Sequence, residues 1–455
     1  MAEFMRNSDA FTYQMESDPR LRSTIVTVLM MDGTPDWDVL RERFDAVSRT
    51  LPMFRRRVVS TPGGTPPRWE PVVEFDLDYH VRRVGAPEPA TFDGVLEMTR
   101  LAQMEAFDPA RPMWQATLVD GLEGGGSALL CKVHHALTDG VGGVQIGLKL
   151  FDLSATPRRR EPLPDPPAVA RPGALAGYRD ALRYNLGLVG RVVGGGIRAV
   201  PAALAGGLRS PLGTIGSVTA TAASVYRTVR PVNRTGSGLM TERDLTRRLA
   251  VLDVPKAGLR EAAHRAGGAL NDAFVAGIAG GLRLYHEKHG TAVGDLHLSM
   301  PISLRHESDP MGGNRITLMR FDVPVGVADP AQRIAAIHER TSRVRDEPSL
   351  PLTQTIAGAL NLMPRWYIGS ILRNVDFVAS DVPGVPVPVF LGGAKVRAQY
   401  AFGPTIGSAL NVTLLTYVDT CAVGVNVDTA AIPDHDLLRE CLSAGFDEVL
   451  ALAGD

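Results

Sequence analysis

The sequence predicts a mixed α/β protein built from two related αβ domains. Two observations carry this. Apolar, β-branched runs alternate with amphipathic helical segments through residues 1–154 and again through residues 241–455, with a Pro- and Arg-rich stretch between them. The 455 residues also exceed the roughly 250–300 that one hydrophobic core supports.

In the first series, Thr24 to Met31 is apolar and β-branched and reads as a strand. Asp36 to Leu51 places Val39, Leu40, Phe44 and Val47 on one helical side, and Pro52 ends the helix. Trp69 to Leu77 reads as extended, Phe92 to Phe107 as a helix, and Trp114 to Val119 as a strand. A further strand, Ala128 to Cys131, precedes a helix over Val144 to Phe151. The second series repeats the mixture. Strands are expected at Arg248–Val254, Asp295–Ile302, Arg315–Val325 and Val375–Ser380. Ala409–Tyr417 and Cys421–Val427 form a pair joined at Asp419-Thr420. Helices are expected at Lys256–Ala266, Asn271–His286 with Asn271 as N-cap, Pro330–Arg345, and Asp434–Ala453.

Residues 155–240 separate the two. Ala155 to Pro172 is too rich in Pro and Arg for regular structure and reads as an exposed linker. Ala174 to Leu208 is apolar, with Arg183, Arg191 and Arg198 within roughly 80° of one another on a helix. It is either a surface that adsorbs to an anionic membrane or lipid, or a helical cap over the two domains.

Composition removes several function classes. The 48 basic and 49 acidic residues leave a net charge of −1, so no global field points to nucleic acid. Cys131, Cys421 and Cys441 are sparse and lack CxxC spacing, which argues against a disulfide framework or a zinc site. The first ten residues contain no apolar h-region, and no apolar run reaches transmembrane length. A cytoplasmic location is expected, and peripheral membrane or lipid-droplet association fits the basic apolar segment.

The chemistry is concentrated in Val133-His134-His135-Ala136-Leu137-Thr138-Asp139-Gly140. A histidine pair at a strand end is followed four and five residues on by Asp-Gly. A His near pKa ~6.5 can take a proton at neutral pH and return it within one turnover. A His-His-Asp metal site is the competing reading. Adjacent strand residues point to opposite faces, however, and no further Cys/His cluster lies nearby, so no metal is expected.

HHxxxDG after an apolar strand resembles the acyl-CoA-dependent acyltransferases of the chloramphenicol acetyltransferase-like superfamily. The resemblance is strongest to the bacterial wax ester synthase/diacylglycerol acyltransferases. It runs almost end to end: Ser8-Asp9-Ala10-Phe11, Phe75 to Val81, Phe107-Asp108, Arg111-Pro112-Met113-Trp114, Leu270-Asn271-Asp272, Met300 to Arg305, Gly313-Asn314-Arg315, and Asp381 to Pro386. Two departures stand out. Arg20 to Val26 lacks the family's Pro-Met-His-Val-Gly-like segment, and Asp381 stands where the family often has Asn. Both are expected near the acyl or acceptor channel.

The resemblance implies two chloramphenicol acetyltransferase-like domains, 1–154 and 241–455, with a tunnel between them. It implies transfer of a long-chain acyl group from acyl-CoA, a substrate and not a cofactor, to diacylglycerol or a fatty alcohol. No separate cofactor is implied. His135 would be the general base, with His134 supporting the turn from the other side of the strand. Asp139 is expected to pair with Arg305 and hold the loop, and Gly140 to free the backbone there. Asn271 would orient the acceptor or the site walls, with Asp272 as a first-turn acid favoured by the helix dipole. No Ser or Cys sits in a nucleophile-elbow context, which favours direct transfer in a ternary complex. Two other readings remain: a condensation-like enzyme using carrier-bound donors, and a lipid-binding paralogue without turnover.

Overall fold

The computed structural model describes residues 3–61, 65–156, 178–186, 230–303, 316–345, 347, 352–361 and 363–454. The first half opens with β1 (Glu3–Phe4) and α1 (Asn7–Met15). It continues through β2 (Thr24–Asp32), α2 (Trp37–Thr50), β3 (Arg56–Val59), β4 (Arg68–Pro71) and the single turn α3 (Leu77–His80). Then come β5 (Val81–Gly85), α4 (Phe92–Met104), β6 (Trp114–Asp120), β7 (Ser127–His134) and α5 (Gly140–Leu150). Residues 178–186 are helical. The second half begins with β8 (Arg247–Pro255), α6 (Lys256–Arg265) and α7 (Leu270–Lys288). It runs on through β9 (Asp295–Ser303), β10 (Ile316–Pro324), α8 (Pro330–Arg345), α9 (Thr353–Leu360) and α10 (Arg365–Leu372). It closes with β11 (Phe377–Val382), β12 (Phe390–Leu391), β13 (Ala394–Phe402), β14 (Leu410–Tyr417), β15 (Thr420–Asp428) and α11 (His435–Leu450).

Two six-stranded sheets organise these elements, in the orders β12-β13-β2-β7-β6-β5 and β10-β9-β11-β14-β15-β8. The first contains two strands from the second half of the chain. β13 runs antiparallel to β2, with Lys395 opposite Asp32 and Phe402 opposite Val26. The sequence boundary at 241 takes no account of this exchange. Its physical basis is the edge of β2, which would otherwise expose a row of unpaired main-chain groups.

α2 forms where its periodicity places it. Asp36 caps it by accepting from the Asp38 and Val39 N–H groups at 3.0 Å, and Leu40, Phe44 and Val47 bury its inner side. Together with α5 it covers one face of the first sheet, while α4 covers the other with Val95 against Val26, Val28 and Val119. Burying each such side chain contributes about 1.5–3 kcal/mol. Trp114 anchors the first core: it stacks on Phe44 and His80, and its Nε1 donates to the Phe54 carbonyl at 2.9 Å.

The helix that sequence reading begins at Asn271 starts one residue earlier, with Ala269 as its N-cap. The Asp272 carboxylate takes the Ala269 N–H at 2.9 Å, so the acid three residues in satisfies the first turn. That carboxylate is buried, and it also accepts from His338 Nδ1 at 2.7 Å and Thr341 Oγ1 at 2.8 Å. Asp272 thereby fastens α8 to α7, a larger role than balancing a dipole.

Of the Pro/Arg-rich linker and the segment 174–208, only residues 155–156 and 178–186 are among those described. No helix among the described residues is long and apolar enough to cross a membrane.

Candidate active site

β7 ends at His134, and the two histidines are held by different neighbours. The His134 N–H donates to the Met113 carbonyl at 3.0 Å, and the His135 N–H donates to the Ser23 carbonyl at 2.8 Å. The His134 ring is fully buried, edge-on to Tyr13 and Phe107. Its Nδ1 accepts from the Ala136 N–H at 3.0 Å, which places the ring proton on Nε2. Nε2 faces Glu16 Oε2 at 3.3 Å, an ion-pair distance short of full hydrogen-bond geometry. The same Glu16 oxygen accepts from the Ser23 N–H at 3.2 Å. Glu16 therefore holds His134 directly and His135 through Ser23. Nothing in the sequence pattern singled Glu16 out.

His135 points the other way, into a cavity of about 360 Å³ enclosed by both halves of the chain. Its imidazole turns toward its own main-chain carbonyl, short of full hydrogen-bond geometry, and Nδ1 has no other partner among the described residues. Burial lowers its pKa below the usual histidine value. The neighbouring Asp139 charge works against that shift, and His134 adds to it. The ring is thus a neutral base at pH 7.

Asp139 is the N-cap of α5 and buried, with Oδ1 accepting from the Gly142 N–H at 2.7 Å. Its expected partner Arg305 lies outside the described residues. Gly140, expected to free a turn, is instead the first residue of α5. A Cβ there would come within 2.8 Å of Val382 Cγ2, so the glycine lets α5 approach β11 closely. A similar approach occurs at Gly384, where a Cβ would meet the Thr416 carbonyl at 1.8 Å.

The cavity is mostly apolar. Ile25, Leu29, Leu129 and Val133 supply the first sheet's wall, and Val378, Val382 and Leu415 the second's. Phe44, Phe54, Trp114 and Phe151 add aromatic lining. The cavity's polar lining includes Gln115, Asp139, Arg320, Glu347, Asn411 and Thr413. The thiol of Cys131 lines the wall, and burial pushes its pKa up to about 12. Gln399 also lines it, buried, with Nε2 lacking a partner among the described residues.

The other predicted residues sit behind this wall. Asn271 is not part of it; Nδ2 lies 3.5 Å from Met300 Sδ, next to the lining residues Ser299 and Pro301. Asp381, expected beside the channel, turns to the opposite face of β11. Strand alternation puts Ser380 and Val382 in the cavity, while the Asp381 charge bears on core Cys421. Burial raises its carboxyl pKa to about 6.

A buried, neutral imidazole on a clamped strand end, opening into an apolar passage between two αβ halves, defines an acyltransferase of the two-domain chloramphenicol acetyltransferase-like class. Residues 5–274 match the wax ester synthase/diacylglycerol acyltransferase catalytic domain, and residues 312–449 match the WS/DGAT C-terminal domain. The chain belongs to this family. A Mycobacterium tuberculosis protein named as a diacylglycerol O-acyltransferase is 38% identical over 453 residues, 98% of this chain and 91% of the relative. A second protein of that organism with the same named activity is 30% identical over 432 residues, 91% of this chain and 90% of its own. Among solved structures, the wax ester synthase/diacylglycerol acyltransferase from Marinobacter aquaeolei VT8 superposes with a TM-score of 0.65 at 19% identity, covering 100% of both chains. The starter condensation domain of rhizomide synthetase, as a variant in complex with C8-CoA, has a TM-score of 0.62 at 12% identity. It covers 100% of this chain and 95% of its own.

Proposed function

We propose that this acyltransferase moves a long-chain acyl group from acyl-CoA to the hydroxyl of diacylglycerol or a fatty alcohol, with His135 as general base. The carrying observation is the His135 ring, which lines a mostly apolar cavity between the two halves and whose burial favours the neutral form. Its Nε2 takes the acceptor's hydroxyl proton as that oxygen attacks the thioester carbonyl. The carbon–sulfur bond breaks, and the proton passes to the departing CoA thiolate. Transfer is direct: Cys131, the thiol in the cavity wall, is protonated at neutral pH. The apolar lining suits acyl chains and excludes water, which would otherwise divert the acyl group to hydrolysis.

The test is CoA release from palmitoyl-CoA with diacylglycerol, with hexadecanol, and without acceptor. His135→Ala is expected to fold normally and lose about 10²–10⁴-fold in kcat with either acceptor. Because the His135 pKa is lowered, protonation disables the base only at more acid pH. The acid limb of wild-type kcat/KM therefore falls below the usual pH ~6.5. Wild-type turnover by folded His135→Ala would sink the mechanism. The condensation-domain likeness favours a second reading, a carrier-bound donor, and palmitoyl-carrier protein in place of palmitoyl-CoA separates the two.

Peripheral attachment to a lipid surface completes the proposal. It is supported by the helix at residues 178–186, which exposes Tyr178, Leu182 and Leu186 along one side beside Arg179 and Arg183.

A further inference from the structure

The cavity runs lengthwise along the first sheet. Alternate residues line it from His135 through Val133 and Cys131 to Leu129, the last lining residue of β7. The register carries that last row across three strands. Leu129 stands opposite Leu29 on β2, and Leu29 stands opposite Gln399 on β13. Leu129 lies six positions before His135, and six residues of extended strand span about 20 Å. α5 runs back over the same stretch and turns Gly140, Gly143 and Gly147 to the cavity. A Cβ on Gly143 would meet nothing within 4 Å, so an extended chain has room between helix and sheet.

Gln399 places an amide at the far end of this arm. It is 5% exposed, beside the apolar Leu29. Its Nε2 is buried without a partner, and its Oε1 takes no hydrogen bond among the described residues. Asn411, another amide in the cavity wall, shows the contrast. Its Nδ2 donates to the Pro404 carbonyl at 2.8 Å, and its Oδ1 accepts from Thr413 Oγ1 at 2.8 Å. Asn411 is spent on the fold, and Gln399 is not. An unmatched buried amide is costly, and a leucine would complete the row without that cost. The last torsion of a glutamine is soft, so an unheld amide can turn either its oxygen or its nitrogen to the cavity. A hydroxyl fits both cases, donating to the oxygen or accepting from the nitrogen.

Distance identifies the hydroxyl. The ester oxygens of a diacylglycerol lie a few bonds from its reacting hydroxyl, so they stay near His135. Six residues contain about eighteen main-chain bonds, and an extended alkyl chain of roughly sixteen carbons covers a similar span. We propose that the passage accepts a long-chain substrate with a hydroxyl at the end remote from the reacting group, and that Gln399 selects it. The inference rests on the long-chain acyl transfer proposed above. An ω-hydroxyacyl donor and an α,ω-diol acceptor share this chemistry, and the test separates them.

Full-length wild type is compared with Gln399→Met, which has similar length and no polar end, and with Gln399→Leu. Palmitoyl-CoA and ω-hydroxypalmitoyl-CoA are each paired with hexadecanol. Hexadecanol and hexadecane-α,ω-diol are then each paired with palmitoyl-CoA. Wild type is expected to favour the hydroxylated member of one pair about tenfold in kcat/KM, and the pair that shows it identifies the source. Both variants should lose that preference, mainly through KM, because the lost hydrogen bond is remote from the reacting atoms. Melting curves give a readout without turnover. Gln399→Met should melt higher than wild type, since an unmatched buried amide is gone. Added ω-hydroxypalmitate should raise the wild-type Tm more than palmitate does, and the difference should vanish in Gln399→Met. No preference in wild type, a preference that survives both substitutions, or a lowered Tm in both variants overturns selection by Gln399 while leaving long-chain transfer intact. A wild-type protein that turns over none of these thioesters overturns the long-chain transfer itself, and the melting comparison still decides the role of the amide.

Discussion

Glu16 stands 118 positions before His134 in the chain, yet one of its carboxylate oxygens meets both the His134 ring and the Ser23 N–H. Each of those neighbours fixes the His135 backbone from one side, so the orientation of the base depends on a residue that never enters the cavity. Small misplacements of a catalytic group are expensive: about 1 Å can cost 10²-fold. Glu16→Gln keeps the shape and can still accept from Ser23, but it loses the charge facing His134 Nε2. We expect kcat to fall about tenfold with KM for the acyl donor unchanged, and Glu16→Ala to fall further, toward 10²-fold. A purely structural role would lower thermal stability without this split. Steady-state kinetics alongside a melting curve for both variants decide the matter, and an unchanged kcat in Glu16→Ala would remove Glu16 from the site. The HHxxxDG spacing drew attention to His135 because that pattern is local. Glu16 and Ser23 carry no pattern of their own, since their contribution exists only after α1 and its following loop have packed against the end of β7.

Among elements, α5 shows how close packing sets the shape of the passage. Its first residue, Gly140, lies against Val382 on β11, so a helix of the first half touches the sheet of the second next to the base. Replacing Gly by Ala ordinarily favours a helix by up to about 1 kcal/mol. Here the added methyl would sit 2.8 Å from a β-branched side chain with little room to rotate. Gly140→Ala is therefore expected to destabilise the protein by about 1–2 kcal/mol against its propensity. Adding Val382→Ala should recover about 1 kcal/mol as a favourable coupling. Urea titrations of the two single variants and the double variant measure that coupling, and simple additivity would refute the contact. The same scale explains what could be read from the sequence. α2, α6 and α8 were legible because their apolar positions repeat at helical spacing. The N-cap at Asn271 was misplaced because the acid at Asp272, not a capping side chain, satisfies the first turn. β13 alternates apolar residues, but its partner β2 lies more than 350 positions away, and no local signal encodes such a pairing.

For the whole molecule, that strand exchange has a consequence for function. β13 completes the first sheet, and Tyr400 on it donates to Asp253 on β8 at 3.1 Å, so both walls of the passage belong to one connected structure. The peripheral attachment proposed above would bring this cavity to substrates presented in a bilayer. The helix at residues 178–186 is fastened to the first half by the 3.1 Å Asp180–Arg68 ion pair, buried Ala181 and the ring contact of Tyr184 with Phe4. Its outer side leaves Tyr178, Leu182 and Leu186 each more than 60% exposed. Inserting two leucines into a lipid surface contributes about 1.5–3 kcal/mol each, and each flanking arginine about 1 kcal/mol near anionic lipid. Leu182→Asp/Leu186→Asp should therefore reduce co-sedimentation with anionic phospholipid vesicles about 10²-fold or more, and neutral vesicles should bind wild type less than anionic ones. Turnover of a dispersed short-chain alcohol should stay at the wild-type rate, while turnover of diacylglycerol presented in vesicles falls. Undiminished vesicle binding by the double variant would show that this face does not carry the attachment, whatever the passage between the halves accepts.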